Sequence, residues 1–226
     1  MAKVNTASGW GLICAFSIAV SWVIVFWVNP AFLTDTNVKQ QVIAEYPAAL
    51  LLWYVLDWVI FGIAAALFSF AITDLFSRHF GLKLLLINLA SISFAAYCIA
   101  VGLAEIFAVL AQISLNEKEN HYQFKAFTAL LQKLRGSTEF SGDIWLILLN
   151  LWLFNKKKVN RVISAAGVAN GLLGILILFY PRYALVVFYV TLNLLWFLSM
   201  SIHLQLPGKR KRQEASEHTR PDRQMS

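Results

Sequence analysis

A chain of 226 residues, 59% hydrophobic and 14% charged, with a mean hydropathy of +0.64, is too apolar for a soluble domain, in which apolar residues are about half of the total. Its net charge of +7 comes without aromatic residues interleaved among the basic ones, so membrane orientation is a better reading of that charge than nucleic-acid binding. A spanning helix takes about 20 residues, and six spans with short connections use nearly the whole length, leaving no room for a soluble domain.

The first apolar run extends from Gly9 to Val28. Lys3 ahead of it suggests a secretory signal, but the run exceeds the ~7 to 15 residues of a signal core, and Asn29-Pro30-Ala31-Phe32 is no small-residue cleavage site. Cys14, Ser17 and Ser21 give this run a weakly polar face. The two cysteines, Cys14 and Cys98, lie in separate apolar runs, so both are expected to pack and not to form a disulfide or bind metal.

The second run, Ala48 to Ile72, contains Asp57, and Asp74 at its far end is interfacial. In the third, Leu84 to Ile113, the residues Asn88, Ser91, Ala95, Cys98, Gly102 and Glu105 share one helical face, which Gln112 extends by a heptad. A small and polar stripe of this length suits close packing, and it predicts a central place for this helix. Between the third and fourth runs, residues 121–134 place Phe124, Phe127, Leu130, Leu131 and Leu134 at helical spacing, predicting an interfacial amphipathic helix that tethers the loop to the membrane surface.

The fourth run, Thr138 to Phe154, spans about 26 Å as a helix, so it must thin the bilayer, extend into Gly136-Ser137 or take an interior position. Asp143 and Asn150 lie one heptad apart on it. The fifth, Val162 to Tyr180, carries Gly167, Asn170, Gly171 and Gly174 at i, i+3, i+4 and i+7, a face for close helix packing within the bundle. Pro181-Arg182 separates it from the sixth, Tyr183 to Leu204, which carries Asn193. The six-helix domain is thus expected over 1–206. A basic, disordered cytoplasmic tail over 207–226 follows, whose Lys209-Arg210-Lys211-Arg212 can attract anionic lipid at about 1 kcal/mol per residue.

With six spans, thirteen Lys and Arg fall on the side of the termini and six on the other, which puts both termini in the cytoplasm of a multi-pass cell-membrane protein. In that frame Asp57 and Glu105 lie about 13 and 12 Å from the outer ends of their helices, and Asp143 about 7 Å. An ionisable group at such depth costs about 2.5 to 3.5 kcal/mol on insertion scales and usually faces a bundle interior. The three acids are expected to converge on one outward-facing pocket that binds or translocates a proton, a cation or a small polar ligand.

Asn88, Gln112, Asn150, Asn170 and Asn193 are the supporting polar residues of that reading. Arg135 and Arg182 are the nearest candidate counter-ions, and without one, burial and mutual repulsion favour a protonated acid, the property a proton-coupled carrier uses. Trp22, Trp27, Trp53, Trp58 and Trp145 fit an outer aromatic belt, and for Trp53, one turn before Asp57, belt membership is preferred over walling the pocket. The competing reading makes each acid a locally satisfied packing group in a non-catalytic structural or partner-binding membrane subunit, or in a homo-oligomer.

Signals of catalysis are thin: paired carboxylates alone can support aspartyl-type proteolysis, but no specific motif surrounds Asp57 or Asp143. His79, His121, His203 and His218 are scattered, and neither HExxH nor GxSxG occurs. No catalytic residue, metal site or cofactor is expected.

Two stretches carry a family resemblance. Leu56-Asp57-Trp58-Val59 is followed by the small, apolar Gly62-Ile63-Ala64-Ala65-Ala66-Leu67, and Leu151-Trp152-Leu153-Phe154-Asn155-Lys156 ends in a short basic loop before the glycine-rich Gly167 to Gly174. In these the chain resembles a bacterial family of six-helix integral membrane proteins grouped as a domain of unknown function. It departs from that family at Asn160-Arg161, where a Pro-Arg pair is usual. The resemblance covers the membrane part, and it implies a six-helix fold in a bacterial inner membrane and no particular activity.

Overall fold

A computed structural model describes residues 2–33, 36–77, 81–114, 140–180 and 182–206, which contain helices and no strand. In chain order these are α1 (Ala2–Val28), a 3-10 turn (Pro30–Leu33), α2 (Thr36–Glu45), α3 (Pro47–Phe76), α4 (Leu82–Ser114), α5 (140–156), α6 (Arg161–Phe179) and α7 (Tyr183–Gln205). The expected interfacial helix over 121–134, Arg135 and the tail over 207–226 lie outside the described residues.

Five of these helices, α1, α3, α4, α6 and α7, are long and apolar enough to cross a membrane. The run expected as the fourth span is helical as α5, but at about 1.5 Å per residue it reaches roughly 26 Å, less than the ~30 Å of a hydrocarbon core. Local sequence sets several of the boundaries. Pro47 occupies the first turn of α3, where its missing N–H is not needed. Asn160 caps α6, its side-chain oxygen accepting from the Val162 amide at 3.0 Å. Lys157 adopts φ 53° where the chain leaves α5.

Packing differs from the sequence expectation in one respect. α1 sits between α3 and α7 at the middle of the bundle, while α4 lies along α3. The small face of α4 packs on α3, with Glu105 near its end meeting α2: a Cβ added at Gly62 of α3 would lie 2.6 Å from the Cys98 Cβ, and one added at Gly102 would lie 2.8 Å from the Trp58 Cβ. These glycines let two backbones approach as small residues do in membrane helix pairs.

Two apolar cores result. One joins α1, α3, α5 and α7 around Phe68, Ile72, Leu149, Trp196, Phe197 and Met200. The other joins the far end of α1 and the 3-10 turn to α2, α3 and α4 around Phe32, Val42, Ile43, Trp53, Tyr54 and Val109. Phe94 packs against both. Large apolar side chains such as Phe16, Phe26, Phe107 and Phe179 point outward from the bundle, where lipid receives them at no hydrophobic penalty.

Candidate functional site

The local structure at Asp57 is unusual for a spanning helix. Residues Val55–Ile60 of α3 form a π-helical turn that contains it. Such a turn adds one residue to the helical circuit and displaces carbonyls from the regular ladder. The Leu56 carbonyl is taken up by Ser17 of α1, whose hydroxyl donates to it. The same stretch of α3 presses on α4 at Gly102, where an added Cβ would lie 3.0 Å from Val59 Cγ2. The turn is therefore held on two sides, and Asp57 itself is half-buried.

Asp143 is fully buried on α5. The Tyr189 hydroxyl of α7 donates to its Oδ1 at 2.7 Å, and Gly174 of α6 lies directly against the carboxylate, so close that an added Cβ would come within 2.0 Å of Oδ1. One heptad along, Asn150 donates from Nδ2 to the Leu146 carbonyl at 2.8 Å and accepts from Trp196 Nε1 at 3.1 Å. Gly167 leaves room for it, since an added Cβ there would meet Nδ2 at 2.2 Å. Gly171 lies between these contacts, against Ile147 Cγ1 at 2.6 Å and the Asp143 carbonyl at 2.8 Å from its hypothetical Cβ. The glycine face of α6 is thus filled by the polar face of α5.

A cavity of about 230 Å³ lies where these elements meet. Its wall contains Asp57 from α3, Asp143 from α5, and Tyr189 and Asn193 from α7, and much of the remainder is aromatic, with Trp22, Trp53, Trp58 and Trp145 among the rings. Two of the three acids singled out from the sequence therefore share one cavity, although they come from helices separated by the whole of α4. Trp53, Trp58 and Trp145, expected in an outer belt, are instead buried and line this cavity.

Glu105 is placed elsewhere. It is buried beneath α2 and forms an ion pair with Lys39 at 2.7 Å, the two side chains being 2% and 6% exposed. The Tyr54 hydroxyl donates to the same Oε2 at 3.0 Å, and the Lys39 ammonium sits 5.7 Å from the centre of the Tyr54 ring. Lys39, and not Arg182, is the cation at this acid; Arg182 is exposed. The physical reason is the way α2 folds back on the bundle: Val42 and Ile43 are buried on the same face as Lys39, and they carry the lysine stem inward with them. The signal was available in the spacing of 39, 42 and 43, which puts a lysine on the apolar face of an amphipathic helix.

The supporting polar residues divide similarly. Asn193 lines the cavity, and Asn150 belongs to the α5–α7 contact. Asn88 is buried near the opposite end of α4, where Thr73 Oγ1 lies 3.3 Å from its Oδ1. Gln112 is half-buried near the end of α4. Asn170 is fully buried, and neither Nδ2 nor Oδ1 has a hydrogen-bond partner among the described residues. At the far end of the bundle, Lys3 and Asp74 form an exposed ion pair at 2.9 Å, a type worth about 0 to 1 kcal/mol.

Searches of protein-family models, of curated proteins and of solved structures find no match to this chain.

Proposed function

We propose that this protein is a six-span, cell-membrane protein with cytoplasmic termini that binds a small ligand in its intramembrane cavity, with Asp57 and Asp143 as the polar anchors. The observation that carries this reading is the shared cavity: acids from two helices far apart in sequence line one space walled by aromatic and aliphatic side chains. Buried acids in membrane helices mark ligand, ion or proton sites more often than they serve packing alone. α5 is the fourth of the six spans, made tolerable at its length by its interior position, since Asp143, Trp145, Leu149, Asn150 and Leu153 are all buried. Leu33 and Trp53 line the end of the cavity nearest α2 and the 3-10 turn. The Lys39–Glu105 pair holds α2 and the adjoining 3-10 turn over that end.

A purely partner-binding role loses one support, because the glycine face that a docking helix would use is already occupied by α5. Thermal unfolding of the purified protein against a panel of small cations, anions, zwitterions and neutral compounds tests the binding reading. A ligand present at about 100 times its Kd stabilises by roughly 2.7 kcal/mol, so at least one panel member is expected to raise the wild-type midpoint and to lose that effect in Asp57→Asn/Asp143→Asn. A wild-type midpoint unmoved by every class would count against the proposal.

A further inference from the structure

We infer that the ligand of this cavity is a small organic monocation bearing a single ring, an arylalkylammonium. The inference rests on the binding reading above and adds the chemical class. Three features of the wall support it. Among the described residues, the cavity wall has two acids, Asp57 and Asp143, and no Lys, Arg or His, so it supplies no positive charge to hold an anion. The surrounding rings, Trp22, Trp53, Trp58 and Trp145 among them, are the side chains that attract a quaternary or protonated amine. Hydrated metal cations are instead satisfied by six or more oxygens, and rings supply none.

Size narrows the class further. A volume of about 230 Å³ lies below the ~300 Å³ at which drug-sized sites begin, and it far exceeds what a proton requires. One ring and a short cationic head match it. The polar atoms are suitably placed: the Tyr189 hydroxyl spends its proton on Asp143 Oδ1, which fixes the carboxylate as an acceptor, and Asn193 adds an amide on the α7 side. Asp57, on the π-helical turn, faces the same space from α3.

Four tryptophans in the wall make intrinsic fluorescence the readout. The purified full chain in detergent is titrated with benzyltrimethylammonium, with neopentylbenzene as its uncharged isostere and with benzenesulfonate as the anion, in the wild type and in Asp57→Asn and Asp143→Asn. The cation is expected to change the emission saturably, to bind at least roughly tenfold more tightly than the isostere, and to weaken by about tenfold or more in either variant, with no response to the anion. Equal affinity for cation and isostere, retained in both variants, would overturn the cationic class while leaving a ligand cavity in place. No saturable response to any of the three would overturn the arylalkylammonium class, and the thermal-unfolding panel then decides the binding reading by itself. Should Asp143→Asn fail to purify, Asp57→Asn decides alone, because the half-buried Asp57 is not part of the Tyr189 contact.

Discussion

Lys39→Met is expected to destabilise the folded protein by about 3 to 5 kcal/mol, the range for removing one partner of a buried ion pair. The variant keeps the length and apolar character of the stem but leaves Glu105, 1% exposed, as an uncompensated charge under α2. The remaining contact, from the Tyr54 hydroxyl at 3.0 Å, cannot replace a cation. Adding Glu105→Gln in the same chain is expected to recover most of the loss, because the amide keeps an oxygen for Tyr54 and carries no charge. Lys3→Met, at an ion pair whose side chains are 66% and 61% exposed, is the internal control and is expected to change stability by less than about 1 kcal/mol. Chemical or thermal unfolding in detergent reads all three. A Lys39→Met variant as stable as Lys3→Met would show that α2 is not anchored through Glu105.

The second large effect is expected on α6. Gly174→Ala must displace the Asp143 carboxylate, since the new Cβ would come within 2.0 Å of Oδ1. The carboxylate has little freedom to yield, because Tyr189 of α7 holds the same oxygen at 2.7 Å. Overpacking of this kind costs about 1 to 3 kcal/mol. Gly171→Leu places a larger side chain against the Asp143 carbonyl, 2.8 Å from its Cβ position, and backbone cannot step aside as a side chain can. That variant is expected to be absent from the folded, detergent-extractable fraction, with Gly9→Ala, where no atom lies within 4 Å of the added Cβ, unaffected. Normal expression of Gly171→Leu with an unchanged melting profile would mean that α5 and α6 do not meet along this face.

The sequence made the helical class and most helix positions legible because membrane spans announce themselves by length and hydropathy, which need no tertiary information. It also made the glycine spacing of α6 readable, and Asp57 and Asp143, two of the three acids singled out, do line one cavity. Three things depended on tertiary structure. The pairing of Glu105 required knowing that α2 folds back, because a lysine between two spans reads as a solvated loop charge until Val42 and Ile43 are seen buried beside it. The π-helical turn at Val55–Ile60 has no signature in an unbroken apolar run, and its extra residue is stabilised by Ser17 on another helix. The middle position went to α1 and not to α4, because a small polar stripe marks close contact without saying how many neighbours share it.

The most direct test is whether Asp57 and Asp143 face one water-accessible space. Single cysteines placed at these positions in a Cys14→Ala/Cys98→Ala background, in right-side-out membrane vesicles, are treated with a membrane-impermeant cationic thiol reagent. Phe70→Cys, on an exposed face of α3, serves as the lipid-facing control. Both cavity positions are expected to react from the outer side, each more slowly once benzyltrimethylammonium is present, while position 70 stays unreactive. If positions 57 and 143 are both inert, or react only from opposite sides of the membrane, the shared ligand cavity does not exist.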